Sequence, residues 1–411
     1  MSFTPITACR SCGSGELLPV IDLGEQPLAN ALRKPDDDGP EARYPLALVA
    51  CASCSLVQLT GTVDPTVMFD NYHYFSSFST TMIDSMRALA ARTVTDRGLG
   101  ADDLVVEVAS NDGYLLQHYV DLGVPVLGID PARNVAEAAT ARGIPTQVDY
   151  FGLDVARRLR DEGRVADVIH ANNVMAHVPD INDFVGGLAH LLAEDGVAII
   201  ETPHLVRMIE DVEFDTIYHE HVFYYSLTAV NALMRRHGLT VVDVEPLAIH
   251  GGSLRLSVRH EGATPAAVVD EMLDGEARLG VATAPYYADF AQRVAHLRGE
   301  TLALLQKLKG DGSSLAAYGA AAKGTVLLNH FGIGTDLLDV VVDRNVHKHG
   351  FVVPGVRVPI DDPARLVADQ PDYVLLLTWN FADEIIEQQA EYLAGGGHFV
   401  VPIPELRVVG A

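Results

Sequence analysis

The chain is short of positive charge. Only 29 of its 411 residues are Lys or Arg, against 55 Asp or Glu, a formal net charge of −26. Such a surface repels nucleic-acid backbones and anionic lipid, so neither is an expected partner. No apolar run approaches the ~20 residues that a membrane-spanning helix needs. No leader precedes the first cysteines, which predicts a cytoplasmic chain. The composition, 48% apolar and 20% charged, is that of a globular protein, and the length predicts two or three domains. Cysteine is scarce, and a three-glycine nucleotide loop is missing altogether.

The four cysteines fall as two identical pairs, Cys9-Arg-Ser-Cys12 and Cys51-Ala-Ser-Cys54. A two-residue spacer lets both thiolates of a pair reach one ion, and two pairs complete a tetrahedral zinc shell. No thiol is left over for an open position, so the predicted ion is structural. Disulfides fit an exported chain better. A redox pair would cap a helix inside a strand–helix–strand unit, and neither pair does.

Three segments are expected. Residues 1–75 carry the knuckles and several prolines, and predict a loop-rich module that owes its fold to the ion. Residues 76–260 begin with a helix near Thr80, with Met82, Met86 and Leu89 on one face. Strands and helices then alternate. The strands are Leu104–Val108, Val126–Ile129, Val168–His170 and Val197–Glu201; the helices are near 113–121, 133–141, 151–160 and 181–193. A late antiparallel pair is Thr240–Val244 with Ser253–Val258. Residues 261–411 open with a connector over 262–285. A helix bearing Phe290, Val294, Leu297, Leu304 and Leu308 follows. Strands then recur at Leu315–Tyr318, Leu338–Val342, Tyr373–Leu377 and Phe399–Val401. The fold class is α/β: a zinc module followed by two Rossmann-like, doubly wound sheets.

The first strand of the middle segment runs into Glu107-Val-Ala-Ser-Asn-Asp-Gly113, and a helix follows. A small-residue turn at a helix N-terminus is the cofactor loop of open α/β sheets, and Asp130 closes the next strand where a ribose diol is gripped. A dinucleotide would want three glycines for its pyrophosphate. Gly113 stands alone, and Glu107 and Asp112 add negative charge. S-adenosylmethionine carries a sulfonium and an ammonium, and suits this loop. Glu107, Ala109, Asn111, Gly113, Asp130 and Asn173 are the expected cofactor contacts. The bland alternative is that Glu107 is a strand-end acid and Asp112 a helix cap; the order of the whole segment, ending in an antiparallel hairpin, favours the cofactor loop.

The paired CxxC motifs, Tyr72-His-Tyr-Phe-Ser-Ser, the 107–113 loop and Asn172-Asn-Val-Met-Ala-His-Val-Pro179 together resemble the sugar-nucleotide C-methyltransferases. So do Tyr218-His-Glu-His221, His250-Gly-Gly-Ser-Leu-Arg255 and Tyr318-Gly-Ala-Ala-Ala-Lys-Gly324. The resemblance runs nearly end to end and is nearest to C-3 methyltransferases of dTDP-4-keto-deoxysugars, such as that of the D-tetronitrose pathway. It implies S-adenosylmethionine, structural zinc, a three-domain body and a dTDP-linked 4-keto-deoxysugar, with a 3-amino sugar expected, in antibiotic biosynthesis.

Methylating carbon needs a carbanion equivalent. A hydrogen on C-3, beside a C-4 ketone, is acidic enough to remove if the enolate oxygen is stabilised. His221 is the expected base, because a neutral imidazole titrates near working pH. Glu220 is the runner-up, Tyr218 and Tyr72 are candidate enolate donors, and His177 is placed to touch the sugar. Packing roles for His219, Tyr224 and Tyr225 are the bland alternatives. Lys323 and Gly319, at a strand-to-helix turn, suit a pyrophosphate; His250, Arg255 and Asn173 are further substrate candidates, and Asp343-Arg344 lies where a ribose or base would rest. Other readings are O- or N-methylation, C-5 methylation, a zinc-containing nicotinamide oxidoreductase and a non-catalytic sugar-nucleotide binder. Separate sheets with their own cores permit a monomer.

Overall fold

The computed structural model describes residues 3–64, 77, 80–247 and 251–410. In the N-terminal module β1 (Phe3–Pro5) pairs antiparallel with β5 (Gly61–Val63), and β2 (Leu17–Pro27), β3 (Arg43–Cys51) and β4 (Val57–Leu59) form an antiparallel sheet. Along β3, Tyr44, Leu46, Leu48 and Ala50 are buried and alternate with more exposed positions, the period of a half-buried strand. The expectation of a loop-rich module is therefore corrected. The prolines misled it: Pro19 and Pro45 are exposed and lie at or beside register shifts of the β2–β3 pair, where a missing N–H is tolerated.

The middle sheet contains β6 (Val105–Val108), β7 (Val126–Ile129), β8 (Thr146–Gln147), β9 (Ala166–Asn172) and β10 (Leu192–Pro203). After β11 (Phe223–Tyr224) come β12 (Leu239–Leu247) and β13 (Ser253–His260). The order is β12-β13-β10-β9-β6-β7-β8, with β13 antiparallel to both neighbours and β8 to β10 parallel. Every residue of β6 and β7 is buried, as expected of parallel strands covered by helices on both faces. Helices Leu116–Asp121, Arg133–Ala141, Leu153–Asp161 and Ile181–Leu191 follow the strands they were expected to follow. β11 leaves this sheet and pairs with β4, so the N-terminal sheet is completed from the middle of the chain.

The acid-rich 262–285 stretch is not a bare connector. It holds a helix, Ala267–Leu279, closed by Gly280 at φ +78, the left-handed C-terminal cap that glycine supplies. The next helix, Phe290–Gly310, buries Phe290, Val294, Leu297, Leu305 and Leu308, with Leu304 only half-buried. The C-terminal sheet is β14 (Leu315–Tyr318), β15 (Val341–Val342), β16 (Ile360–Asp361), β17 (Tyr373–Leu376), β18 (His398–Val401) and β19 (Arg407–Val409), in the order β16-β15-β14-β17-β18-β19. Only β19 runs antiparallel to its neighbour. The order reverses at β14, the switch point beside which open α/β sheets bind ligands.

The three parts do not keep separate cores. Leu205, Met208, Phe214 and Ile217 of the middle segment pack into one cluster with the C-terminal sheet and with Val20, Leu46 and Leu48 of β2 and β3. Cys9, Cys51 and Cys54 pack with the middle sheet. Among the described residues no helix is long and apolar enough to cross a membrane.

Candidate active site and zinc centre

The two knuckles have the same backbone turn. Gly13 N–H donates to the Cys9 carbonyl and Ser55 N–H to the Cys51 carbonyl, both at 2.9 Å. The residue after each second cysteine has positive φ, +77 at Gly13 and +62 at Ser55. The four sulfurs lie within 4.8 Å of one another, with Cys9–Cys54 at 3.6 Å and Cys12–Cys51 at 3.5 Å. Those separations exceed a disulfide bond of about 2.05 Å. They suit the edges of a sulfur tetrahedron around an ion with Zn–S of about 2.3 Å. The donor set therefore fits structural zinc.

At the end of β6 the chain turns through three left-handed residues, Ala109 (φ +57), Asn111 (φ +49) and Gly113 (φ +80). Strain of this kind in non-glycine residues clusters at functional sites. At φ +80 any other residue would be strained at Gly113, and its Cβ would lie 2.3 Å from Ile144 Cδ1. Asp130 Oδ2 accepts from Asn111 N–H and its Oδ1 from Ala132 N–H, each at 2.9 Å. The Glu107 carboxyl is fully buried. Burial first, then nearby Asp130, Asp112 and Glu201, push it well above the usual carboxylate range, against a weaker contact from Tyr114. Asp112 is buried as well, with Oδ2 accepting from Ser77 and Arg142. A buried acidic cluster at this loop fits a cationic ligand and opposes a phosphate. Asn173, directly after β9, has φ +54 and a buried Oδ1 with no hydrogen-bond partner among the described residues. It stands on the same carboxyl-end edge of the sheet.

The histidine cluster lies beyond that edge. Val222 N–H donates to the Ala176 carbonyl at 2.7 Å and Tyr225 hydroxyl to the Met175 carbonyl at 3.1 Å. These bonds clamp the short turn Met175–His177 against the 218–225 segment and bring the His177 and His221 rings to 4.8 Å. His221 Nδ1 lies 3.2 Å from the Thr216 carbonyl, and its Nε2 lies 2.8 Å from the Tyr218 hydroxyl. A carbonyl only accepts, so Nδ1 carries the proton and the Nε2 lone pair accepts from Tyr218. Base and hydroxyl are one unit. Glu220 points away from it: Asn30 Nδ2 donates to its Oε1 at 2.7 Å, and burial pushes its carboxyl up to about 7. His177 is pulled down to about 4 by burial. His219 is buried, lies 3.3 Å from the Tyr44 carbonyl, and is likewise pulled down to about 4.

A small cleft is lined by His204, Glu213, Thr216, His221 and Tyr224, with Ala176 and Met208 behind them. His204 Nε2 is 3.1 Å from Glu276 Oε1, a carboxylate that also accepts from the N–H groups of Leu227 and Thr228. Glu213 also faces Lys323 of the C-terminal domain. Lys323 sits 4.2 Å over the Trp379 ring and donates to Asn380. Its ammonium is pulled down to about 8 by burial, against Asp215 and Glu213. Trp379 Nε1–H donates to Asp215 Oδ2 at 2.8 Å.

The other expected contacts fall as follows. Gly319 has φ +97, and a Cβ there would lie 2.6 Å from Thr378. Asp343 accepts from the N–H groups of Ala320 and Asn345. Arg255 is already paired with acids: from β13 its guanidinium lies 2.7 Å from Glu201 of β10 and 3.1 Å from Glu245 of β12. Tyr72 and His250 lie outside the described residues. Sequence reasoning missed Glu213, Asp215, His204 with Glu276, and Trp379. A signal existed for the first two: they are acids within eight residues of His221, flanking a phenylalanine.

Residues 9–69 match a family model for a zinc binding domain, 78–244 one for a methyltransferase domain, and 248–404 one for a C-methyltransferase C-terminal domain. The C-methyltransferase NovU of Streptomyces niveus is 40% identical over 415 aligned residues, which cover 99% of this chain and 98% of that one. A ubiquinone biosynthesis O-methyltransferase of Bartonella quintana (strain Toulouse) is 29% identical over 99 residues, 24% of this chain and 40% of that one. Among solved structures, the magnesium protoporphyrin IX methyltransferase of Synechocystis PCC 6803 covers 43% of this chain and 79% of its own at 15% identity, with a TM-score of 0.33.

Proposed function

We propose, on the premise that this chain belongs to the C-methyltransferase family, that it methylates a ring carbon beside the C-4 ketone of a dTDP-linked deoxysugar. C-3 is the expected carbon, and antibiotic sugar biosynthesis the expected setting. The enzyme is an S-adenosylmethionine-dependent methyltransferase with a zinc-binding N-terminal module. When bound, the cofactor supplies an electrophilic methyl group; Glu107, Ala109, Asn111, Gly113, Asp130 and Asn173 are the residues that would hold it. We assign residues 1–75 to the zinc module, 76–260 to the methyltransferase domain and 261–411 to the nucleotide-sugar domain.

The observation that carries the reading is the Tyr218–His221 pair. A carbon acid needs a base that accepts a proton near neutral pH without first losing one of its own. The Thr216 carbonyl selects the Nδ1–H tautomer of the neutral His221 ring, which leaves the Nε2 lone pair to the Tyr218 hydroxyl. The tyrosine oxygen takes the sugar's proton as its own hydroxyl proton passes to Nε2. His177, beside the pair, is kept neutral by burial and suits a contact to the sugar's hydroxyl or amino group. The diphosphate is assigned to the turn at Gly319 and the start of the helix Ala322–Phe331, where free N–H groups favour an anion. Lys323, in the first turn of that helix, is proposed as a supporting cation, with Asp215 and Glu213 already facing it. Arg255 is left out, because two carboxylates already occupy it.

The test is incubation with S-adenosylmethionine and dTDP-4-keto-deoxysugars, with or without a 3-amino group, followed by mass spectrometry and carbon NMR. A new methyl carbon bonded to a quaternary ring carbon is expected. A methyl on oxygen or nitrogen overturns the reading, and the ring position observed separates C-3 from C-5.

A further inference from the structure

Glu213 has no place in the chemistry described so far, yet it is built into the cleft. The residue is 4% exposed and lines the cleft with Thr216 and His221. Its carboxyl is acted on by burial and by surrounding charges, with no hydrogen bond among the described residues. Room has been made for it: a Cβ on Gly251 would lie 2.4 Å from its Oε1. Its neighbour Asp215 is the opposite case. That carboxylate accepts the Trp379 indole N–H and faces Lys323.

Two carboxyls two residues apart are thus divided by their surroundings. Asp215 has a cation and a donor, is pushed up only to about 6, and stays ionised near neutrality. Glu213 faces Asp215 and Asp211, with Lys323 and Arg207 as the opposing cations and His204 and His221 across the cleft. Burial and Asp215 push it up to about 8, so it holds its proton at pH 7. A buried, protonated carboxyl is a strong donor to an oxygen that is gaining charge, and can serve as one arm of an oxyanion site.

We propose that Glu213 is a catalytic acid whose carboxyl O–H donates a hydrogen bond to the C-4 oxygen of the sugar as the enolate forms. The inference rests on the carbon-acid reading above and deepens it. The ring C–H bond breaks, and its proton passes through the Tyr218 hydroxyl to His221 Nε2. The electron pair enters the bond to C-4, and the carbonyl π pair moves onto the oxygen that Glu213 holds. When that carbon takes the methyl group, the S–CH3 bond of the bound cofactor would break with its pair leaving on sulfur as the thioether; the ketone returns and Glu213 keeps its proton. C-3 and C-5 both flank C-4, so the role is the same for either regiochemistry.

The experiment is solvent-deuterium exchange at the ring carbon of a dTDP-4-keto-deoxysugar, with S-adenosylhomocysteine present, between pH 6 and 9.5. Wild type is expected to lose rate as pH rises through about 8, as Glu213 deprotonates. Glu213→Gln keeps a donor that does not titrate; it should lose that alkaline fall and stay within about tenfold of wild type at pH 7. Glu213→Ala should fall by about 10²–10³, the usual cost of one oxyanion donor. S-adenosylhomocysteine affinity by calorimetry should be unchanged in both, which reports folding. An alkaline limb that persists unaltered in Glu213→Gln overturns the inference, and this profile decides even where the alanine variant unfolds. Exchange in a folded Glu213→Ala within twofold of wild type overturns it as well. No exchange in wild type sinks the carbon-acid reading itself.

Discussion

His221 does not act as a lone imidazole. Its two nitrogens are both spoken for, one by a backbone carbonyl and one by the Tyr218 hydroxyl, so the two side chains stand or fall together. Removing the hydroxyl in Tyr218→Phe, or the basic nitrogen in His221→Asn, should each lower solvent-exchange and methyl-transfer rates by about 10²–10⁴, the range of general-base contributions. The double variant should be little worse than either single one; additive losses in exchange kinetics would mean two independent roles. Glu220 gives the contrast. Its carboxyl is buried, takes one bond from Asn30, and is raised from about 4.5 to about 7. A raised acid contributes its stability fully below the unfolded value, and loses it as pH climbs through the folded one. Glu220→Gln can keep the Asn30 bond and has no charge to bury. At pH 8.5 it should therefore be more stable than wild type by about 1–3 kcal/mol in urea unfolding, and nearly equal at pH 4.5. Its activity should stay within about tenfold of wild type, where a true base would not.

At the scale of elements, the zinc module and the catalytic segment share a sheet. β11 comes two residues after His221 and is the edge partner of β4, which follows the second knuckle directly. Leu59 N–H also donates to the Val222 carbonyl at 2.9 Å. Zinc is far from chemistry in role but close to it along hydrogen bonds. One zinc per chain is expected by atomic absorption. Stripping it with a chelator, or Cys51→Ser, should lower the melting temperature and the exchange rate together, because structural zinc contributes folding free energy directly. S-adenosylhomocysteine affinity, for the site proposed at the ends of β6 and β7, should move much less. Loss of metal with full activity would cut this link. The parallel strands could be read from sequence because burial on both faces leaves near-continuous Val and Ile runs, as in β6 and β7. β2 could not, since its prolines and its shifts of register hide the alternation. Nor could the partnership of β4 with β11, which depends on a contact some 165 residues apart along the chain.

At the scale of the whole molecule, the short turn Phe214–Thr216 joins the two halves. Phe214 is fully buried and stacks on Phe331 of the C-terminal domain, with ring centres 5.0 Å apart. Asp215 takes the Trp379 indole, and the last carbonyl of the turn orients His221. None of this was legible from motifs. The motifs mark the residues expected to meet ligands, Lys323 and the histidines, whereas the joint is built from one aromatic and one acid whose meaning lies in what they pack against. The geometry makes the C-terminal domain a brace for the base, beside the nucleotide-binding role proposed for it. Trp379→Phe separates the two roles: it removes the N–H to Asp215 but keeps a ring beneath Lys323. A hydrogen bond to a charged group is worth about 1.5–3 kcal/mol, so a small loss of stability is expected alongside slower turnover. The drop should appear in kcat by about tenfold, with zinc content and S-adenosylhomocysteine affinity unchanged. A change confined to KM for the sugar nucleotide would instead mean that the second sheet only binds, and that His221 takes its orientation from the middle domain alone.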